Sequence, residues 1–315
     1  MIQANEIAAA FGLPCLLSGD MQTALQLWED LYQNRANWQK ERVKPLRLPA
    51  MIARELKRLA LTEFVLDTKD TELQLPLQHT KQMLRQKLDY GIASGGLLLK
   101  PYYHNGLQID FVAQNQYLPV RYTNDACTAV ICPEELLLEK RCYTRLEFHQ
   151  FDEQIHTHTI QQRCFRSPTP GTLGLECDLT EVPQWANLLP QKTYYDVSQP
   201  LFAMFQMPEA NNIDPTSPLG VSAYADAVDL IHDADVHWER ILWELESSER
   251  AIDASEDLFR FHPGTNQPIL PKGRERMYHC LEKTGTGNTI FNTFSPEIRD
   301  TSYFNALNQI LRRIE

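Results

Sequence analysis

His156 and His158 stand two residues apart among Ile155, Thr157 and Thr159, and alternation along a strand puts both imidazoles on one face. With Asp152 or Glu153 beside them, such a pair could relay a proton in a hydrolase or supply half a metal site. Spacing ties no carboxylate or third histidine to the pair, and no nucleophile motif accompanies it, so it reads as the wet face of an exposed strand. Cys127, Cys132, Cys142 and His149 could in principle meet around zinc, but their spacing fits no compact site and no CxxC pair occurs. Gly285 to Gly287 sit in "GTGNT", which lacks the lysine of a phosphate-binding loop and the third glycine of a dinucleotide motif. The residues therefore lead to the expectation of no catalytic group, no cofactor and no metal. Seven cysteines, odd in number and widely spread, read as free buried thiols.

Behind these residues lies a chain of 315 residues, 43% hydrophobic and 23% charged, with a formal net charge of −11. It can bury a substantial core and hold two modest domains. It has no run of eighteen apolar residues, so no membrane span is expected, and its first residues lack the charged start and apolar run of a secretory signal. Apolar spacing predicts helices over Asp20 to Asp30, Pro49 to Thr62 and Leu73 to Asp89, a helical cap over a sheet, with Gly91, Gly95 and Gly96 breaking the pattern. From Leu97 to about Pro208 the texture is that of strands. Asn105-Gly106 marks one hairpin and Asp152-Glu153 a second. Arg166 to Pro190, with four prolines and two glycines, reads as a variable surface loop.

The stretch from Gly220 to Ile252 predicts a long acidic helix, about 45 Å if helical over some thirty residues. Tyr224, Val228, Ile231, Trp238, Leu242 and Leu245 fall at intervals of three and four, an apolar stripe that Asp235 interrupts. Eight carboxylates, Glu239 and Glu246 among them, stand against Arg240 and Arg250, a net −6 of the chain's −11. Ser217 reads as its N-cap, with Pro218 at the first helical position. Asp253 to Phe294 is turn-rich, with "LFRFHP" and "TIFNTF" as short strands about a small helix near Arg274 to Glu282. Ser295 and Pro296 then open a last helix, whose Tyr303, Leu307, Ile310 and Ile314 keep helical spacing to the final residues.

The order "PLFAMFQMPEANNIDPTSPLGVSAYADAVDLIHDADVHWERILWELE" resembles the signature of portal proteins of tailed bacteriophages with siphovirus-type genomes, a family that includes proteins described as minor capsid proteins. Upstream, "LWEDLYQNRANWQ", "LALTE" and "GGLLLKPYYHNGLQIDFVAQNQYLPV" follow in the family's order, and downstream so does "SPEIRDTSYFNALNQILRRIE". The likeness covers nearly the whole chain; each motif is loose and none is catalytic.

The resemblance implies an α+β fold with a mixed helical and antiparallel-sheet wing over residues 1–219 (helical 20–90, β-rich 95–208). A stem helix would follow over 220–252, then a small α/β clip over 253–294 and the start of a second stem helix over 295–315. Family members continue into further wing elements and a crown that this sequence does not contain, so a fragment, truncated frame or split protein is expected. The implied function is non-enzymatic: a homo-oligomeric, dodecameric ring at one capsid vertex, through which double-stranded DNA passes without sequence recognition. The implied partners are the large terminase subunit, the head-tail connector, and the scaffold and major capsid proteins. The implied location is the virion, after assembly in the host cytoplasm. The stem stripe, with Asp235, Glu239 and Glu246, would form the channel and stem interface. Phe259, Phe261, Arg274, Arg276 and Phe291 would dock partners at the clip. An acidic lining suits a conduit, because it keeps a duplex off the wall where lysine and arginine would grip it. A monomeric capsid-associated adaptor and, further off, a hydrolase built on the two histidines are the alternatives.

Overall fold

Short polar side chains start two of the four described α-helices of the N-terminal region. After α1 (Ala4–Ala9), Ser18 caps α2 (Gly19–Tyr32) by accepting the Met21 N–H at 3.3 Å. α3 (Leu48–Thr62) carries proline in its first turn, and Asp70 caps α4 (Thr71–Ser94) by accepting the Glu72 N–H at 2.9 Å. α2 buries Met21, Ala24, Leu25, Trp28 and Leu31, the threes and fours of a single core-facing stripe. Lys57 and Asp89, 3.0 Å apart, tie α3 to α4.

The computed structural model describes residues 2–39, 43–103, 106–122, 126–248, 251–270, 277–281, 291–294, 297 and 299–314. Its class is α+β, and the chain divides into two compact units: Met1–Asn37 with Arg47–Asp226, and Trp38–Leu46 with Ala227–Glu315. The division falls at Asp226 rather than at Leu219, and a segment of the N-terminal sequence belongs to the C-terminal unit.

In the first unit, α4 runs through Gly91 instead of breaking there. The missing side chain makes room for Leu97, whose Cδ1 would lie 2.3 Å from a Cβ at that position. The helix stops at Gly95, whose φ of +92° is the usual left-handed close. β1 (Gly96–Tyr103) and β2 (Leu107–Ala113) then pair antiparallel, as the Asn-Gly signal predicted, although Asn105 itself lies outside the described residues.

A second sheet combines β3 (Leu118–Tyr122), β4 (Cys127–Leu138), β5 (Arg141–Asp152), β6 (Thr157–Ser167) and β7 (Leu175–Cys177) in that order, with β8 (Gln191–Tyr194) also on β6. β9 (Ala203–Gln206) closes the first sheet on the free side of β1. The turn expected at Asp152 is present, with its Oδ1 accepting the Gln154 N–H at 3.0 Å. β5 is covered on both faces: Leu146 and Phe148 meet Ile7 and Ala8 of α1, and Tyr143 meets Leu179, Val182 and Trp185. The stretch from Arg166 to Pro190 is thus no free loop. Its β7 pairs with β6 and its Trp185, 3% exposed, plugs into the sheet.

Gly220 to Ser222 are not helical. Gly220 lies against the end of α4, where a Cβ on Gly220 would stand 2.2 Å from the Gly95 carbonyl oxygen and one on Gly95 would stand 2.5 Å from that of Gly220. Gln114, fully buried, seals this contact. Its Nε2 donates to the Ser94 and Gly220 carbonyls at 2.8 and 2.7 Å, and its Oε1 accepts the Gly220 N–H at 3.1 Å. The Ser217 hydroxyl accepts the Leu219 N–H at 3.3 Å and its own N–H donates to the Asp214 carbonyl at 3.0 Å, a local turn rather than the expected helix cap.

The C-terminal unit is built on α5 (Val228–Ser247), twenty residues and about 30 Å long, against the thirty-odd expected. Ser247 donates its hydroxyl back to the Glu244 carbonyl at 3.2 Å, competing with the helix ladder, and the next described run is a strand. β10 (Ala251–Ser255) pairs with two strands, and β11 (Arg260–Phe261) and β12 (Pro268–Ile269) form a small hairpin. The small helix expected near Arg274 to Glu282 is replaced, over its described part, by β13 (Tyr278–Leu281). β13 runs parallel to β10 and alternates half-buried and exposed residues. β14 (Phe291–Phe294) lies antiparallel on the other side of β10, and α6 (Asp300–Ile314) closes the unit. α6 buries Leu307 and half-buries Tyr303, Ile310 and Ile314, the stripe that its spacing predicted, while Ser295 and Pro296 lie outside the described residues.

Gly95→Ala should lower stability to urea by more than about 1 kcal/mol, because both its φ and the neighbouring backbone reject a side chain. Gly19→Ala, at an open helix start, should be neutral or slightly stabilising. Equal effects in urea titrations would show that the Gly95 to Gly220 contact carries no weight.

Candidate functional site

Arg145, Glu147 and His149, alternate residues of β5, form a polar wall in the N-terminal unit. Glu147 is its centre: Oε1 accepts from Lys100 Nζ of β1 at 2.9 Å and from His149 Nε2 at 2.6 Å, and Oε2 accepts from Arg145 Nη1 at 3.0 Å. His149 Nδ1 lies 3.1 Å from His158 Nε2, and the Leu201 N–H reaches His158 Nδ1 at 3.4 Å. These partners fix the tautomers. The Leu201 N–H can only donate, so a neutral His158 accepts at Nδ1 and donates from Nε2 to His149 Nδ1, and the carboxylate, which can only accept, takes the His149 Nε2 proton. The hydrogen bonds run from a lysine of β1, through side chains of the six-stranded sheet, to a backbone amide two residues before β9.

All four main members are shielded from water. Burial alone would raise the Glu147 carboxyl, but the His149 hydrogen bond and the charges of Lys100 and Arg145 outweigh it and hold the group far below the carboxylate range. Burial likewise works against the Lys100 ammonium, and Glu147 reverses the sign, leaving the pKa raised. For His158, burial and then the neighbouring His149 both act downward, to about 4, so this imidazole is neutral near pH 7.

The wall bounds a cavity of about 730 Å³ lined also by Ile7, Leu25 and Asp110. Its charges are already engaged: Lys100 lies 3.6 Å from Asp110, and Arg145 Nε donates to Glu134 Oε2 at 3.0 Å. The arrangement fastens two sheets across a polar seam. Among the described residues no group of three or more histidine, cysteine or acidic side chains could hold a metal, and Cys127, Cys132, Cys142 and His149 form none.

The two histidines singled out by sequence do not work as a pair. His156 is exposed in the turn at φ +49°, while His158 is fully buried, so the expected wet strand face is instead part of the polar seam. The Asp152 Oδ1 serves the turn. Lys100 and Glu147 were missed, and His149 was weighed only as a zinc ligand, since the members come from β1, β5 and β6 and only the register of β5 with β6 and the reach of β1 unite them.

In the C-terminal unit α5 sorts its residues differently from the expected stripe. Ile231, Ala234, Asp235, Ile241 and Glu244 are buried, Val228, Trp238, Glu239 and Leu242 half-buried, and Trp243, Leu245 and Glu246 exposed. Asp235 faces no channel. Its Oδ2 accepts from Trp38 Nε1 at 3.1 Å and Gln39 Nε2 at 2.9 Å, and its Oδ1 accepts the Leu46 N–H at 2.8 Å, so it holds the segment 38–46 within its own unit. Glu244 takes a two-pronged bond from Arg299 at 3.0 and 2.9 Å, which keeps its carboxyl below the ordinary value. Tyr224 precedes the helix, is buried in the N-terminal unit, and donates to the Trp28 carbonyl at 2.8 Å. Ile231 is likewise inside its own unit, so neither residue is available to a neighbour. Among the proposed docking residues, Phe259 and Phe261 are half-buried, Phe291 is exposed, and Arg274 and Arg276 lie outside the described residues, as do Gly285 to Gly287. No described helix is long and apolar enough to cross a membrane.

Compared with known proteins, the chain matches no family model and no curated sequence at a significant level.

Glu147→Leu should cost about 3 kcal/mol or more, because it strands Lys100 and Arg145 in the seam. The double variant Lys100→Met with Glu147→Leu should cost less than the two singles together by at least about 0.5 kcal/mol, and strict additivity in urea titrations would dissolve the pair. The His158 shift predicts a pH effect with a definite sign. Between about pH 6.5 and pH 4 the unfolded imidazole binds a proton that the folded one refuses, so its contribution is whole above about pH 6.5 and is lost as pH falls. The stability gap between wild type and His158→Gln should therefore narrow from pH 7 to pH 5, and a constant gap would contradict the assignment.

Proposed function

We propose that this chain is a structural subunit of a tailed-bacteriophage portal: a ring at one capsid vertex through which double-stranded DNA enters and leaves. The reading rests on the family resemblance, and one structural observation supports it most: a helix, a small mixed sheet and a returning helix form one unit whose outer surface is apolar where nothing in the described chain covers it. Trp243 is 62% exposed, Phe291 65% and Phe294 52%. A closed ring needs two different faces on every subunit. The side of α5 that carries the exposed Trp243 offers one. β14 offers another, because among the described residues no strand pairs with its outer edge.

In this role Asp229, Asp233 and Glu246, the exposed acids of α5, turn to the channel and keep the duplex from settling on its wall, over the roughly 10 Å that salt permits. The sheet end docks the large terminase subunit during filling and the head-tail connector afterwards, while the N-terminal unit meets the scaffold and major capsid proteins. The protein assembles in the host cytoplasm and remains in the virion. Its work is positional, and the terminase supplies the energy.

Negative-stain images and light scattering of the full chain should reveal closed rings at high concentration. Trp243→Asp should weaken subunit association about 30-fold or more while circular dichroism stays unchanged, as loss of a central tryptophan costs ~2 kcal/mol or more. Monomer at every concentration would favour a capsid-associated adaptor and remove the ring.

A further inference from the structure

Cys164 of β6 and Cys177 of β7 are direct partners in an antiparallel register, and their Sγ atoms lie 3.4 Å apart. Directly opposed residues of antiparallel strands have Cα atoms about 4.5–5.5 Å apart, inside the window that a disulfide requires. Closing the remaining gap to a bond of about 2.05 Å needs rotation of two side chains and no movement of the strands. The strand registers oppose no other cysteines: Cys132 faces Glu147, Cys142 faces Leu137 and Ser167, and Cys280 faces Ala254. We propose that Cys164 and Cys177 form a reversible disulfide site, oxidised by a low-molecular-weight disulfide, that staples the segment between β6 and β8 to the central sheet.

The surroundings give the bond something to secure. The segment's Leu179, Val182 and Trp185 cover Tyr143 and Cys164, and Arg166 reaches Glu181 at 2.7 Å. Without the bond this cover is held by a three-strand-residue pairing, that packing and a few surface ion pairs. Cys177, the more exposed of the two, is the attacking sulfur. Its thiolate displaces one thiolate from the oxidant and forms a mixed disulfide. The Cys164 sulfur then attacks Cys177 Sγ and expels the second thiolate. Two protein S–H bonds and one oxidant S–S bond are lost, one protein S–S bond is gained, and both protons end on the two small thiols. Burial raises both thiol pKa values, Cys164 to about 12, so the reaction should accelerate as pH rises from about 7 to 9.

The test treats the full chain with oxidised glutathione, quenches with acid, and maps peptides without reduction. The expected result is a loss of two hydrogens and a single cross-link joining the peptides of Cys164 and Cys177, reversed by dithiothreitol. The oxidised protein should melt about 3 °C or more above the reduced one. Cys164→Ser should stop at one glutathione on Cys177, whereas Cys142→Ser should cross-link like wild type. The proposal fails if both thiols remain free to alkylation after unfolding, if wild type stops at the mixed disulfide, or if the link joins other cysteines. None of these outcomes depends on whether the chain forms a ring.

Discussion

A carboxylate with almost no access to water sets the terms for the N-terminal unit. Left alone in that environment, Glu147 would take a proton and lose its hold on its neighbours. It stays ionised because Lys100, Arg145 and His149 converge on its two oxygens. That convergence has structural consequences. Lys100 belongs to the sheet of β1, β2 and β9 and Glu147 to the six-stranded one, so one buried charge demands that the two sheets meet in a single alignment. Apolar packing alone tolerates slippage. A seam whose donors and acceptors must all be matched does not.

The same device recurs at two other places. Gln114 stitches the end of α4 to Gly220, and Asp235 gathers three N–H groups from residues 38–46. Each joins segments far apart in sequence, and each is buried with its hydrogen bonds satisfied. This explains which features were legible in advance. Helices with a dense apolar stripe, such as α2, and hairpins with a local turn signal could be read because their information lies within a dozen residues. Gly91 misled because a glycine that breaks a helix and one that admits Leu97 look alike until the packing is known. Asp235 misled for a related reason: an acid within an apolar stripe reads as a defect, and its donors stand almost two hundred residues away.

α5 shows how far a charge count can carry. The composition of Gly220 to Ile252 suggested one long rod with an apolar stripe and an acidic remainder, but two of its carboxylates turn inward to specific donors and the helix is about a third shorter than the thirty-odd residues expected. The remaining exposed acids, not the net charge, define the field that an approaching polyanion would meet. Spacing predicted the stripe of α6 well because one buried residue and its helical neighbours suffice to seat a short helix.

β14 carries the strongest physical demand for company. Edge strands in isolated proteins are guarded by charge, proline, a bulge or brevity, since an open ladder of N–H and C=O groups invites another chain. Phe-Asn-Thr-Phe is guarded by its brevity alone: it has four residues, no charge and no proline, and all four are exposed. Its two phenylalanines present apolar surface beside an edge that no strand among the described residues pairs with, the combination that strand addition uses for affinity and selectivity together. The neighbouring β10 cannot relieve this, since both of its own edges are already filled by β13 and β14. A strand added to β14 would bring an extended backbone, and an apolar pocket for the two phenylalanines would add affinity. A second copy of the same unit carries an extended edge of its own in β13, which runs parallel to β10 and opposite in direction to β14. Head-to-tail pairing of β13 with β14 would thus be antiparallel, and repeated in one rotational sense it would give the heterologous contact that the proposed ring requires.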